Sequence, residues 1–435
     1  MQSALKHTGF AGFMGVARED ISPPAGIFCR NWGAAEHDAA IGLHRPLYLT
    51  ALSLQENPSA QPLVLIDADL GWFADINFGR RFIQDLLHKL ALPVERVIFA
   101  MSHTHSAPPL ADPEEQWQGG ELLPAFCKGI QDAAVTAVRQ ALVSTEPAVL
   151  EWHYGRCALA TDRDRLDGRR FVVGYNPDRA ADDTLLVGRV SRPDGSCLAT
   201  LTNYACHPTT LAWDNRLVSP DYVGAMRKTI EDQTGGAPAL FLQGASGELA
   251  PRHQYVGDTA IADGHGRQLG YAVLATLADM NPPEHSLVYD GVVESGAPLG
   301  VWNLERTSHS SCLKALMHGV DLPLKDWPST AELQAQYGAC EDRAMAERLR
   351  RKLRIREALG DGDSFALELF AWRLGDALLL GTMAESYSLV QQELRRVAAP
   401  HSLAWMNLIN GAIGYLPPAE RYDDDIYQVW QTPLA

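Results

Sequence analysis

Polar clusters directly follow several of the predicted strands, so the chain must fold with these clusters at the ends of strands. Short apolar segments at 48–54, 62–70 and 94–101, with a helical pattern at 76–92, give a β-α-β order that ends directly at Ser-His-Thr-His-Ser. The alternation continues through strands predicted at 148–154, 184–190, 198–206 and 239–243, and through helices predicted at 124–143, 222–233 and 261–280. We therefore expect one large α/β unit.

The region beyond residue 300 has a different pattern. Residues 331–359 form the longest helical pattern, which is rich in charge, and 365–380 alternates like two strands joined by a turn. No internal repeat and no Pro/Ser-rich linker in the sequence marks a domain border. We therefore expect a single domain over 1–435 with a helical insertion around 300–360.

Composition and charge exclude several classes of function. The chain has 37 Lys and Arg against 53 Asp and Glu, a net charge of −16, and its basic residues cluster only at 348–356, where we expect a solvated helix face. Nucleic acid is therefore not an expected partner.

The sequence also lacks the pattern of a membrane protein, since no segment approaches the roughly 18 apolar residues of a membrane span. The first twenty residues show no secretory signal pattern, and the 7 cysteines include no CxxC pair, which indicates a cytoplasmic protein with reduced thiols.

The cluster at 102–106 contains two histidines two positions apart. In an extended segment, residues i and i+2 point to the same side. His103 and His105 can therefore converge on one metal ion, or one can bind the metal while the other transfers protons. Two loop histidines that are hydrogen-bonded to the backbone would give the same pattern.

Four further clusters contain groups of the kind that form sites. His207 follows the strand at 198–206, and the proline after it favours extended backbone, although a capping or core histidine fits equally well. The glycines of Gly-Ala-Ser-Gly-Glu-Leu-Ala-Pro allow close backbone approach, so that Ser246 and Glu248 can face a ligand, but Glu248 replaces the last glycine of a nucleophile elbow. Glu385 follows an apolar strand, where a buried charge needs a partner or a metal, and Tyr415 lies between glycine and proline turns. A helix-start glutamate and a loop tyrosine are the simpler explanations for these two.

In this order, the motifs resemble the neutral ceramidase family and the bacterial ceramidase-like relatives of its catalytic domain. The resemblance rests on VAREDISPP at 16–24, GLHRPL at 42–47, SHTHSAP at 102–108, NYACHPTT at 203–210, SPDYVGA at 219–225, GASGELAP at 244–251 and GYLPP at 414–418. It spans nearly the whole chain. It implies an α/β fold of mixed sheets with flanking helices, similar to the neutral ceramidase catalytic domain and without the C-terminal immunoglobulin-like domain.

The resemblance also implies a site with one zinc ion. The family holds zinc with two His, one Glu and one Tyr, and the matching residues here are His103, His207, Glu385 and Tyr415. Nitrogen and carboxylate ligands with a position left for water are typical of catalytic zinc. His105 would then support the ligands or take part in catalysis. Arg163, in Asp-Arg-Asp-Arg-Leu-Asp-Gly, resembles the family's substrate-side arginine.

One departure from the family pattern affects the expected mechanism. The position of the family's nucleophilic serine is Ala250 here, and a methyl group cannot attack a carbonyl. Ser246 lies four residues earlier and does not match that position. We therefore expect a ceramidase-like protein whose substrate is not ceramide.

These residues together predict a zinc-dependent hydrolase that cleaves a small amide, cyclic amide or ester bond by metal-activated water. Glu248 or His105 would transfer the proton, and Tyr415 or Arg163 would stabilise the oxyanion. The expected partner is a small-molecule substrate, without stable membrane association. Two alternatives stay open: a zinc-binding protein whose catalysis was lost with the serine, and a metal-dependent lyase or isomerase on the same scaffold.

Overall fold

A computed structural model describes residues 4–114, 116–360 and 362–435. The strands are β1 Ala4–Leu5, β2 Thr8–Asp20, β3 Gly42–Leu43, β4 Tyr48–Gln55, β5 Leu63–Ala68, β6 Val97–Met101, β7 Glu146–Arg156, β8 Ala160–Asp162, β9 Asp164–Asp167, β10 Arg170–Val173, β11 Thr184–Ser191, β12 Cys197–Tyr204, β13 Leu217–Val218, β14 Ala239–Gln243, β15 Leu249–Pro251, β16 His285–Glu294, β17 Pro298–Arg306, β18 Leu313–Pro323, β19 Ser364–Leu374, β20 Ala377–Thr382, β21 Glu385–Ser386, β22 Leu403–Met406 and β23 Tyr415–Leu416. The α-helices are α1 Ile76–Leu90, α2 Leu123–Val143, α3 Tyr222–Glu231, α4 Thr259–Asp279, α5 Thr330–Gly338, α6 Arg343–Leu359, α7 Ser388–Ala398 and α8 Tyr427–Gln431.

Two mixed sheets form the framework. The central sheet has eight strands in the order β14-β12-β11-β7-β2-β4-β5-β6. In it β12 pairs with β14 in parallel, β5 pairs with β6 in parallel, and the other neighbours are antiparallel. A second sheet has four strands in the order β18-β19-β20-β22. The predicted α/β fold of mixed sheets with flanking helices is confirmed.

The central sheet is buried on both faces. Helices α1 and α2 cover one face, where Ile66 of β5 and Val138 of α2 share a core. The second sheet covers the other face, where Leu65 of β5 packs in one core with Phe370 of β19. Because neighbouring residues of a strand point to opposite faces, β5 appears in the sequence as an apolar run over 63–66, before Asp67.

The two ends of the central sheet meet. Asp67 of β5 accepts a hydrogen bond from the backbone N–H of Phe241 in β14 at 2.9 Å. Arg227 of α3 forms ion pairs with both Asp67 and Asp69. Strand twist of about 20–25° per pair accumulates to roughly 150° over this sheet. This twist brings together the loops that follow β6 and β12, although the two strands lie far apart in the strand order.

The predicted helical insertion around 300–360 is wrong in its first part, which contains β17 and β18. The single helical pattern at 331–359 is divided into α5 and α6. The division occurs because the side chain of Asp342 accepts a hydrogen bond from the backbone N–H of Met345 at 2.7 Å and so begins a new helix.

Among the helices of the described residues, none has both the length and the apolar character needed to cross a membrane. The organisation of 1–435 as one catalytic domain stays a prediction.

Candidate metal centre

His103 is held in a fixed orientation directly after β6. Its backbone N–H donates to the carbonyl of Leu70 at 2.9 Å, and its φ of +68° lies in a region that residues other than glycine seldom adopt. Its Nδ1 lies 3.1 Å from the carbonyl oxygen of Gly71. A Cβ at Gly71 would lie 2.9 Å from the carbonyl oxygen of Thr104, so glycine is required for this approach. Because a carbonyl can only accept, Nδ1 carries a proton, and in the neutral imidazole Nε2 then presents a lone pair.

His207 is fixed in the same tautomer. Its Nδ1 donates to the carbonyl of Ser246 at 2.6 Å and lies 3.2 Å from that of Leu249. The parallel pairing of β12 with β14 places the loop at 244–249 against this histidine. The ring is completely buried, and its Nε2 faces the side chain of Glu385.

Glu385 and Tyr415 enter the centre from a two-residue parallel ladder between β21 and β23, in which they are direct partners. Oε2 of Glu385 lies 3.0 Å from Nε2 of His207 and 3.3 Å from Nε2 of His103. Burial acts to raise the pKa of Glu385, but the two histidines outweigh it and hold the pKa well below its ordinary value. Glu385 is therefore a carboxylate at neutral pH.

These donor atoms fit a zinc-type ion. The ligating atoms of His103, His105 and His207 all lie within 4.8 Å of one another. Among the described residues, the buried Nε2 of His105 has no hydrogen-bond partner, and that of His103 has only the 3.3 Å approach to Glu385. Burial and the neighbouring imidazoles hold the pKa of His105 well below its ordinary value, and burial and Arg163 lower the pKa of His207 to about 3. These two imidazoles are therefore neutral and able to ligate, and together with a carboxylate they match the donors of catalytic zinc sites.

His105 lies beside the predicted ligands and faces open space. Its ring centroid is 4.8 Å from that of His103 and 6.1 Å from that of His207. Trp72 and Trp32 flank it, with centroids at 4.8 Å and 5.1 Å. Both alternatives for the histidine pair, a further ligand or a proton-transfer group, are compatible with this position.

Arg163 is buried between two of the predicted ligands. Its Nη2 donates to the carbonyl of Gly247 at 2.8 Å and to the hydroxyl of Tyr415 at 3.2 Å. The same Nη2 lies 3.2 Å from Nε2 of His207. Burial followed by the charge of Glu385 raises the pKa of Tyr415 well above its ordinary value. Arg163 and Tyr415 thus present hydrogen-bond donors beside the predicted metal position.

The side chain of Glu248, a predicted proton-transfer group, does not join this group of residues. Its two carboxyl oxygens accept hydrogen bonds from the backbone N–H of Ser388, at 2.9 and 3.0 Å, and Oε1 also accepts from the Ser388 hydroxyl. Ser388 begins α7, so Glu248 caps that helix. It lines neither cavity that reaches the metal centre. This position argues against Glu248 as the proton-transfer group and corrects that expectation.

The capping role predicts a pH-dependent effect of Glu248→Gln. Burial, which outweighs the Ser388 hydrogen bonds, raises the pKa of Glu248 from its ordinary value of 4.5 to about 8. Between these values the folded protein keeps a proton that the unfolded chain releases, so this group's contribution to stability falls as pH rises. Glutamine mimics the neutral acid and does not titrate. We expect the Tm of the variant minus that of the unchanged protein, measured by thermal unfolding, to increase from pH 5 to pH 8. A relative Tm that falls over this interval would mean that α7 needs a charged cap.

Neither serine position of the 244–251 segment supplies a nucleophile to the centre. Ser246 is 1% exposed, and its hydroxyl accepts a hydrogen bond from Nε2 of Gln243 at 2.6 Å. Ala250 is completely buried in β15, where it pairs with Thr161 of β8.

Two cavities reach the candidate metal centre. One, of about 90 Å³, is lined in part by His103, His105 and Glu385. The other, of about 440 Å³, is lined in part by His105, Arg163 and Tyr415. The second volume is within the range typical of small-molecule sites, roughly 300–1,000 Å³. The larger cavity thus gives a small molecule access to the predicted site.

Sequence reasoning missed the outer wall of the larger cavity, which α6 and α8 supply. Arg348 and Arg351 line it together with Tyr427 and Trp430. The expectation of a solvated helix face at 348–356 is wrong for these arginines, because Cζ of Arg348 lies 3.2 Å from a ring centroid of Trp430 and Arg351 lies over Trp72 at 5.7 Å. The arginines recur at helical spacing, and this periodicity was the available signal. The catalytic and ligand roles assigned from the sequence stay predictions.

No protein-family model and no curated protein matches the chain. Among solved structures, it is similar to a ceramidase complexed with C2, with 16% sequence identity and a TM-score of 0.68 over 99% of this chain and 73% of that one. It is also similar to the neutral ceramidase from Pseudomonas aeruginosa, with 17% identity and a TM-score of 0.68 over 99% of this chain and 72% of that one. The chain therefore has the fold of the neutral ceramidases.

Proposed function

We propose that this protein is a zinc-dependent hydrolase that cleaves a small amide, cyclic amide or ester bond with an activated water. The observation that carries the proposal is the convergence of His103, His207 and Glu385, in which both imidazoles have Nδ1 bonded to a carbonyl and Nε2 directed at the carboxylate. Such preorganisation is typical of metal ligands, whose second nitrogen is held by an outer hydrogen bond. A single ion is sufficient for this donor set.

The residues around the ligands have separate roles in this proposal. Bound zinc would lower the pKa of a water molecule to about 7 and polarise a carbonyl. His105 is the candidate for proton transfer, since it lines both cavities and its Nε2 has no hydrogen-bond partner among the described residues. Arg163 and Tyr415 are placed to donate hydrogen bonds to the oxyanion that develops on the attacked carbonyl.

A small substrate in the cytoplasm agrees with two further observations. The larger cavity has a volume of about 440 Å³, and charged side chains such as Arg348 and Arg351 line it. All of the cysteines, from Cys29 to Cys340, are unpaired thiols, as is usual in a reducing compartment. We therefore propose a soluble small-molecule substrate rather than a lipid in a membrane.

The test is a mass-spectrometric screen of amides, lactams and esters with the zinc-loaded protein and its Ser246→Ala variant. We expect a product that has gained the mass of water. We expect the variant to keep most of the turnover, because the Ser246 hydroxyl is hydrogen-bonded to Gln243, the residue lines neither cavity, and its contact with His207 is made by the backbone carbonyl, which alanine retains. An inactive Ser246→Ala protein with its metal intact would contradict a mechanism that needs no serine.

Ala250 favours a second candidate, a zinc-binding protein without hydrolytic activity, because this buried methyl occupies the expected nucleophile position. Full zinc occupancy with no turnover in the same screen would support it. A product formed without the mass of water would instead support a metal-dependent lyase or isomerase.

A further inference from the structure

We infer that α6 forms an anion subsite in the larger cavity and that the substrate carries a carboxylate, with Arg348 as the principal contact. This inference rests on the proposed function, because it names the class of molecule that the same site would take: a small amide or ester with one carboxylate away from the scissile bond.

Arg348 is oriented by an aromatic ring. Its Cζ lies 3.2 Å from a ring centroid of Trp430, so the guanidinium rests on the face of the indole. Among the described residues, Arg348 has no hydrogen bond and no close ion pair with the protein, although the charge of Asp425 acts on it from a longer distance. It lines the cavity that also contains His105 and Arg163. A guanidinium that stacks in this way keeps its N–H groups directed outward, where they can bind the two oxygens of a carboxylate.

The same face of α6 supplies further positive charge. Arg351 lines both cavities and Arg354 lines the smaller one, so the arginines follow the helical spacing that places residues on one side. Both are held by acids and are less available than Arg348: Arg351 donates to Glu347 at 2.9 Å, and Arg354 pairs with Glu114. They contribute to the local potential, while Arg348 provides uncommitted donors.

The charge of the cavities is opposite in sign to that of the whole chain. The chain carries −16, yet the described residues that line the two cavities include four arginines, Arg163, Arg348, Arg351 and Arg354, against three acids, Asp342, Glu347 and Glu385. Arg163 and Glu385 both lie beside the predicted metal ligands and offset each other, so the excess of positive charge lies on the wall formed by α6. A small excess of positive charge matches a singly charged carboxylate better than a doubly charged phosphate.

The experiment measures binding separately from turnover. N-benzoylglycine and its uncharged carboxamide are titrated calorimetrically into the full chain, both zinc-loaded and metal-free, and into Arg348→Gln. The matched control is Arg343→Gln, on the same helix but paired with Asp38 and outside both cavities. We expect the carboxylate to bind at least about tenfold more tightly than the carboxamide, in both metal states, and Arg348→Gln to remove this preference. Arg343→Gln should retain it.

The possible outcomes separate this inference from the proposed function. Equal binding of the two probes, or an equal loss of both in Arg348→Gln, would overturn the anion subsite even if neutral amides are hydrolysed. A carboxylate preference found only with zinc would also overturn it, because the metal would then be the anion site. A preference that depends on Arg348, without hydrolysis of any amide, would support the subsite and contradict the hydrolase. Arg348→Lys keeps the charge but not the planar donors, so its preference for the carboxylate should lie between those of the unchanged protein and Arg348→Gln. It replaces the glutamine variant if that variant is unstable.

Discussion

Replacing Glu385 by alanine is expected to remove both the bound metal and the hydrolytic activity. The Glu385 carboxylate lies within 3.3 Å of Nε2 of both His103 and His207, so it is the group that connects the two imidazoles. Replacing a residue that only supports a metal ligand lowers metal affinity about 10- to 100-fold, and replacing a direct ligand should lower it further. His207→Ala should behave in the same way.

The measurement is the zinc content of the purified protein by elemental mass spectrometry, together with turnover of any substrate found in the screen. Glu248→Gln is the matched control, because it alters a glutamate that is also buried but caps α7 instead of facing the metal. Full zinc occupancy in Glu385→Ala would contradict the ligand assignment. Loss of zinc in Glu248→Gln would indicate that the metal responds to general destabilisation.

Arg163→Lys is expected to keep the metal and lose turnover by about 100-fold, the usual cost of removing one preorganised oxyanion donor. One nitrogen of the guanidinium contacts both the carbonyl of Gly247 and the hydroxyl of Tyr415. Lysine retains the charge but cannot reproduce the planar set of donors. The lysine ammonium can donate to either the Gly247 carbonyl or the Tyr415 hydroxyl. The donors that the guanidinium would direct at the substrate carbonyl are then no longer held in position.

The loss should appear in kcat more than in KM, because an oxyanion forms only as the reaction proceeds. Zinc content and Tm are measured on the same preparations. An unchanged kcat would exclude Arg163 from oxyanion stabilisation. A loss of zinc equal to that of Glu385→Ala would show that Arg163 maintains the ligands, since it also lies 3.2 Å from Nε2 of His207.

Local patterns located several elements of the central sheet and the helices that cover it, but not β2. The strand predicted at 239–243 coincides with β14, and the helix predicted at 124–143 differs from α2 by one residue at its start. Strand order could not be predicted in this way. The contact between β5 and β14 arises from the accumulated twist of the whole sheet, and no local segment records it.

The candidate site could likewise be predicted only in part from the sequence. His103, His207, Glu385 and Tyr415 could be named because ordered motifs mark them, and the structure brings them together. Glu248 was expected beside the metal but lies at the start of α7, because the sequence of a short loop does not indicate which side its side chain takes. The basic segment of α6 was misassigned because periodicity identifies a helix face but not the aromatic rings that distant segments bring to it.

The ladder between β21 and β23 also sets when the metal centre can form. Its predicted ligands lie at positions 103, 207, 385 and 415, so a growing chain that has not reached β21 holds only two of them. The free energy of metal binding is available to folding only after the ligands have been assembled. If the chain binds zinc as proposed, both sheets would fold largely without help from the ion, and zinc capture would be a late step that reports whether the last strands have docked.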